Sequence, residues 1–235
     1  MKVDIWSDVV CPWCYIGKRR FEQALRGFEH ADAVTVAWHA FELDPSAPVV
    51  HGETDYVARL AGKYGMTYER AREMVDGMTA TAKAAGLDFD FAIARAGNTF
   101  DAHRVLHLAR RRGVQDAVKE RFLRATFTEG RAIADRETLI ELAVDAGLDG
   151  DEVAEVLRTD AGAREVRTDE AQARQLGITG VPFFVIDERY GVSGAQTPEV
   201  LTSALEQAWS ERRRPSELRA EPSDQAVGTS EAPAG

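Results

Sequence analysis

The chain has 235 residues, 44% of them hydrophobic, and a formal net charge of −10. This is enough apolar material for one large domain, or for one domain with a sizeable insertion. The acidic balance speaks against nucleic acid and anionic membrane surfaces as partners: both need a concentrated basic patch, and Arg212-Arg213-Arg214 is too short to supply one. No apolar run approaches membrane-span length, and the N-terminus passes into a strand-like segment without a basic, cleavable leader, so a cytoplasmic location is expected.

Val3-Asp4-Ile5-Trp6 predicts the first strand. Shortly after it comes Cys11-Pro12-Trp13-Cys14, which holds the only two cysteines of the chain. Ile16, Phe21, Ala24, Leu25 and Phe28 then recur at helical spacing, and Pro12 sits where a helix accepts proline, so the first helix is expected to begin at Cys11. A dithiol at the mouth of a helix is placed where unpaired N–H groups and the helix dipole favour thiolate over thiol. Structural zinc needs four ligands, and the chain offers no second C-x-x-C and no nearby Cys/His pair, so no metal is expected. A disulfide closing so short a loop removes little chain entropy, and the cytoplasm keeps thiols reduced unless they turn over. The pair therefore reads as redox-active.

Val34 to Phe41 predicts a second strand, closed by the turn-like Leu43-Asp44-Pro45-Ser46. From about Thr54 to Gln175 the pattern becomes that of four or five amphipathic helices, with Gly86, Gly113, Gly147 and Gly177 near helix ends. Asn98-Thr99-Phe100-Asp101 reads as one helix opening. Asn98 and Arg104 are candidates to read a substrate carboxylate, although Asn98 fits a helix cap equally well. His103 and His107, four apart, lack a third metal ligand and read as packing residues; His39 reads as a hydrogen-bonded core histidine. Phe183 to Asp187 and Tyr190 to Ser193 predict a hairpin, and Thr197-Pro198-Glu199 starts a last helix through Trp209. The expected architecture is α/β: a thioredoxin-like domain from residues 1–50 and 176–212, split by an all-helical insertion over 51–175. Residues 213–235, poor in large apolar side chains, are expected to be a disordered tail.

Two distant segments together carry a resemblance. The strand with Cys11-Pro12-Trp13-Cys14, and Thr179-Gly180-Val181-Pro182-Phe183-Phe184 followed by Gly191-Val192-Ser193-Gly194-Ala195-Gln196, resemble the DsbA-like oxidoreductases, in particular the cytoplasmic FrnE-type branch. Trp38 to Pro45 and Asn98 to Arg104 look like patterns of the same family. The resemblance implies a cis Pro182 lying against the C-x-x-C, catalytic roles for Cys11, Cys14 and Pro182, and a substrate groove that includes Pro12, Trp13, Val181, Ala195 and Gln196. Trp13 also offers apolar surface for gripping a substrate. Periplasmic DsbA has Pro-His between its cysteines, where this chain has Pro12-Trp13. Cys11 is therefore expected to be acidified by the helix terminus, but less than in a strong oxidant.

The same superfamily holds kappa-class glutathione transferases and 2-hydroxychromene-2-carboxylate isomerases. These typically place serine at the first motif position and use the thiol of glutathione. Here both thiols are kept, and Ala195-Gln196 stands where the kappa-class enzymes have Ser-Asp. The favoured expectation is thiol–disulfide exchange through a mixed disulfide, acting on a protein or small-molecule thiol or disulfide. No bound cofactor is expected; glutathione is a candidate co-substrate, and a cellular thiol reductant a partner. The alternatives are a glutathione-dependent isomerase or transferase of small aromatic or polyketide-like molecules, and a chaperone or assembly partner with secondary redox activity.

Overall fold

Apolar Val3 and Ile5 alternate with Asp4 and Trp6, and over Lys2–Ser7 this segment forms β1 of the computed structural model, which describes residues 1–49, 55–95 and 97–213. β1 lies inside a four-stranded sheet of order β2-β1-β3-β4. It pairs in parallel with β2 (Thr35–Ala40) and antiparallel with β3 (Phe183–Ile186), whose chain reverses into β4 (Tyr190–Ser193). The expected hairpin turn is present, with Asp187 and Glu188 both at positive φ, the geometry that matches the twist of a tight hairpin. The expected tail lies outside the described residues from residue 214 onward.

Strand alternation sends successive side chains to opposite faces. Val3 and Ile5 pack with Phe184 and Ile186 under Phe21 and Ala24 of α1 (Pro12–Gly27) and Leu201 and Leu205 of α9 (Pro198–Arg213). On the other face Trp6 packs with Phe183, Val185 and Ala173, the last on α8 (Ala163–Gln175). The sheet is thus covered on both sides, and the cysteines sit where β1 hands over to α1.

Between β2 and β3 the described residues form α2 (Tyr56–Tyr64), α3 (Tyr68–Ala84), α4 (Phe100–Arg111), α5 (Gln115–Phe127), α6 (Arg136–Asp145), α7 (Gly150–Arg158) and α8. These are more than the four or five expected. α2 and α7 have only 9 residues each, too few to display a helical period, and α5 follows α4 after so short a turn that the two read as one pattern. Two cores result. One joins α4, α5, α6 and α7 around Val105, Phe122, Leu139 and Val153; the other is an aromatic cluster of Phe89, Phe91 and Phe127 that reaches Tyr15 and Ile16 of α1.

The insertion is fastened to the sheet as well as to α1. Gln115 accepts from the Trp38 N–H at 3.0 Å and donates to the Trp38 carbonyl at 2.8 Å, so its side-chain amide continues the ladder and covers the β2 edge. Buried Lys18 of α1 meets Asp116 at 3.2 Å and Glu120 at 3.0 Å, both on α5. No described helix is long and apolar enough to cross a membrane.

Candidate active site

Cys11 is the N-cap residue of α1, in extended conformation, and Pro12 takes the first helical position, as expected. Cys14 lies one turn in, its N–H donating to the Cys11 carbonyl at 3.0 Å. Both cysteines are free thiols. The chain reaches them through a turn closed by the Cys11 N–H on the Asp8 carbonyl, 3.4 Å.

The second segment arrives from the far end of the chain. The Val181-Pro182 peptide bond is cis, and the Cys11 thiol donates to the Val181 carbonyl across 3.6 Å. The Gly194 N–H donates to the Pro182 carbonyl at 2.8 Å, which ties the turn before Ala195 to the same loop. α1 accommodates both at Gly17: a Cβ placed there would stand 2.8 Å from Pro182 Cγ and 3.5 Å from the Ala195 Cβ. Arg20 closes the corner by donating to the Ala195 carbonyl at 2.5 Å. Trp13 stands beside the thiols and is 41% exposed. Gln196 is exposed and donates to the Ser193 carbonyl at 2.8 Å. Cys11, Pro12, Trp13, Cys14, Val181, Pro182, Ala195 and Gln196 thus share one end of the sheet.

Asn98 and Arg104 do not join them as free recognition groups, and here the sequence reading is corrected. Arg104 is buried, with Nε donating to the Ala161 carbonyl at 2.9 Å, one terminal nitrogen to Asp101 at 2.6 Å, and the other to the carbonyls of Val156 and Thr159. Each of its nitrogens is thus engaged: one holds Asp101 on the same helix, and the other two tie α4 to α7 and to the connection that follows it. Asn98 Oδ1 accepts from the Phe100 N–H at 2.9 Å, closing a turn just before α4, whose N-cap is Thr99, while its amide donates to the Pro45 carbonyl.

A second correction concerns the thiols themselves. Cys11 is not an open thiol: it is 4% exposed and Cys14 1%. Its hydrogen bond to Cys14, reinforced by burial, pushes the Cys11 thiol well above the ordinary range. Burial would raise Cys14 as well, but the hydrogen bond from Cys11 and the charge of Lys119 outweigh it and bring Cys14 below the ordinary value.

Lys119, on α5, is fully buried, donating to the Ser7 carbonyl at 3.4 Å with its ammonium 5.6 Å from the centre of the Trp38 ring. Burial brings it down to about 8, against the opposing pull of Cys14 and Asp8. Asp8 is likewise buried and accepts from the Leu43 N–H at 2.8 Å; His103 Nε2 comes within 3.4 Å of its Oδ1, in Coulombic reach but out of line for a hydrogen bond. Burial alone would raise Asp8, and the imidazole, the Leu43 N–H and Lys119 together hold it below the usual carboxylate value. His103 therefore packs toward the cysteine turn. His107, one helical turn on, instead places Nε2 3.0 Å from Asp169.

Asp8, Gly17 and Lys119 went unread in the sequence, although each leaves a trace. Asp8 shortly precedes the dithiol. A glycine inside a helix costs about 1 kcal/mol against alanine, which signals close approach of another backbone or ring. Lys119 falls on the apolar stripe of α5 with Phe122, Leu123 and Thr126, where a solvated lysine does not belong.

With this geometry in hand, comparison with known proteins is informative. Residues 2–206 match the family model of the DsbA-like thioredoxin domain. The chain is 29% identical over 210 residues to the uncharacterized protein YwbO of Bacillus subtilis (strain 168), spanning 86% of this chain and 94% of that one. It superposes with a TM-score of 0.86 and 51% identity on a probable DsbA oxidoreductase, SCO1869, from Streptomyces coelicolor, covering 90% of this chain and 91% of the other. The cytosolic disulfide reductase DsbM from Pseudomonas aeruginosa, in its structure with GSH, shares the fold at 20% identity and a TM-score of 0.57, over 93% of this chain and all of that one. With that family match running over residues 2–206, around a sheet whose helix-mouth dithiol faces a cis proline, the chain belongs to the DsbA-like thioredoxin domain family.

Proposed function

We propose that the protein is a thiol–disulfide oxidoreductase that works through Cys11 and Cys14. The observation that carries this reading is the Cys11 sulfur at the mouth of α1, 3.6 Å from the Val181 carbonyl, with Cys14 behind it in the same turn. In the reducing direction the Cys11 thiolate attacks one sulfur of a substrate disulfide. A mixed disulfide forms and the other substrate sulfur leaves as thiolate. Cys14, deprotonated, then attacks the Cys11 sulfur; the Cys11–Cys14 disulfide closes, the second substrate thiolate leaves, and two electrons have passed to the substrate. The oxidising direction is the same sequence reversed.

Lys119 supports the resolving step. Once Cys11 is bound into the mixed disulfide, it no longer donates to Cys14, and the buried ammonium is the positive charge left to favour the Cys14 thiolate. Pro12, Trp13, Val181, Pro182, Ala195 and Gln196 shape the substrate groove, the Val181 backbone lying alongside an extended substrate segment. The working site is cytoplasmic, in the FrnE-type branch, and glutathione is the thiol co-substrate; the cytosolic DsbM, of the same fold and described with GSH, supports both. That fold also lends some support to the second reading, a glutathione-dependent isomerase or transferase. It ranks lower because a Cys14 thiol would capture glutathione held at Cys11.

The test is trapping. Cys14→Ala should accumulate mixed disulfides at Cys11 under oxidising conditions, visible by non-reducing electrophoresis and mass spectrometry, and the further change Cys11→Ser should abolish them. No adduct in Cys14→Ala would refute the two-thiol mechanism.

A further inference from the structure

A cavity of about 870 Å³ opens on the sheet face opposite α1, and neither cysteine lines it. Lys2, Asp4 and Trp6 of β1 and His39 of β2 form its floor, with His107 from α4 and Asp169 from α8. Alternation along β1 explains the separation, because Val3 and Ile5 point toward α1 while Asp4 and Trp6 point here. Its size is that of a small-molecule site.

The floor is a continuous polar chain in an otherwise apolar layer. His39 sets Nε2 2.6 Å from Asp4 and Nδ1 2.8 Å from Asp169, and Asp169 in turn receives His107 Nε2 at 3.0 Å and the Ala40 N–H at 2.8 Å. With a carboxylate against each ring nitrogen, the two aspartates favour the protonated ring and push His39 above the ordinary histidine value against the opposing effect of burial. Lys2 meets Asp4 at 2.8 Å. Each floor carboxylate is therefore already matched by a cation, and the floor presents no net negative charge to a ligand. Among the described residues no group of three or more His, Cys, Asp or Glu side chains is arranged to hold a metal ion, consistent with ring nitrogens committed to carboxylates.

Three arginines line the cavity, in a chain whose net charge is −10. Arg110, Arg111 and Arg164 stand there against Glu165 and Glu188, and Arg111 is drawn toward Glu165 at 3.7 Å. Arg110 and Arg164 are exposed and have no ion-pair partner among the described residues. A helix dipole accounts for Arg110 and Arg111, which lie in the last turn of α4, where cations are favoured. It does not account for Arg164, in the first turn of α8, where a cation works against the dipole and no side chain caps the helix. Thr168, Gln172 and Gln175 continue the polar wall between that arginine and the floor.

We infer that this cavity is a second ligand site, separate from the dithiol, which takes a small organic anion whose carboxylate or phosphate group is held between Arg110 and Arg164. Guanidiniums not already committed to an ion pair can give an acidic group the forked, charge-assisted hydrogen bonds that such groups accept. Thr168, Gln172 and Gln175 offer the rest of the ligand hydroxyl and amide groups along α8.

The experiment is titration of the reduced full-length protein at low ionic strength with inorganic phosphate and, separately, with citrate, followed by calorimetry and by the NMR resonance of the Trp6 indole N–H. That group donates to the Asp169 carbonyl at 3.0 Å beneath the cavity. The expected result is saturable one-to-one binding of at least one probe with a shift of the indole resonance, the stronger probe identifying phosphate or carboxylate as the recognised group. Arg110→Ala/Arg164→Ala should weaken that binding by roughly tenfold or more, and Cys11→Ser should leave it unchanged. Failure of both probes to saturate, an unmoved indole resonance, undiminished binding in the double variant, or loss of binding in Cys11→Ser would each overturn the inference; the indole reading in the unmodified protein does not depend on any variant folding.

Discussion

Gly17 and Pro182 touch so closely that the helix carrying the thiols and the loop carrying the cis proline have no room for a methyl group between them. A Cβ on Gly17 would come within 2.8 Å of the proline ring, while the Pro182 carbonyl is held by the Gly194 N–H at 2.8 Å. Gly17→Ala should therefore displace the loop from Cys11. Overpacking of this kind costs about 1–3 kcal/mol, so the variant should fold with a lowered melting temperature. Insulin-disulfide reduction by the folded protein should fall about tenfold, the effect of a loss of about 1.4 kcal/mol in transition-state stabilisation. Unchanged turnover would show that the contact does not set the geometry of the site.

Cys11→Ser distinguishes the two enzymatic readings. If the protein's own dithiol does the chemistry, disulfide reduction should collapse by several orders of magnitude, because an alcohol of far higher pKa replaces the sulfur nucleophile. Glutathione-dependent isomerase turnover that survives in this variant, with no thiol exchange by the unmodified protein, would reverse the ranking.

Lys119→Met should slow the resolving step. Removing the buried charge raises the Cys14 thiol, and each pKa unit lowers the thiolate fraction near neutral pH about tenfold. Stopped-flow measurement of single-turnover decay of the mixed disulfide at pH 7 should show a lifetime longer by about that factor. An unchanged lifetime would remove Lys119 from the mechanism.

The same lysine sets a pH dependence of stability in the reduced protein. Lys119 titrates at about 8 in the fold and near 10.5 in the open chain. Between those values the unfolded chain holds more protons, so stability rises with pH. Cys14, lowered from 9.0, adds a rise of the same sign below that value, whereas Cys11, raised well above 9.0, contributes a fall above it. Denaturation midpoints of the reduced protein should therefore climb from about pH 8 to about 9 and then level. In Lys119→Met the climb should shrink; a midpoint falling across that interval in the unmodified protein would contradict the assignment.

Arg104→Ala should cost about 2–4 kcal/mol by stranding the carbonyls of Val156, Thr159 and Ala161. KM for a disulfide substrate should not change in the fraction that remains folded. A raised KM at unchanged stability would restore Arg104 as a recognition residue.

The sheet and the dithiol were legible in the sequence because local chemistry dictates them: β-branched and aromatic runs for strands, Pro12 at the helix start, a short polar turn for the hairpin. The insertion was less legible. The lengths of α2 and α7 fall below what periodicity can reveal, and α4 and α5 merge. Arg104 looked like a ligand for substrate because a sequence cannot show which carbonyls a guanidinium will meet. Lys119 could be seen only as an anomaly on an apolar stripe, since its partners come from β1 and the cysteine turn.

The bond between the Cys11 thiol and the Val181 carbonyl spans 170 positions of sequence. At ribosomal rates of about 5–20 residues per second, the thiols are synthesised on the order of ten to thirty seconds before the loop that covers them. During that interval the nascent chain carries two reactive sulfurs and no proline wall, and β1 lacks one of its two neighbours. Redox competence is thus a property of the finished chain, and the insertion, made in between, acts as a built-in delay whose length sets how long the newborn dithiol must be protected by its surroundings rather than by its own fold.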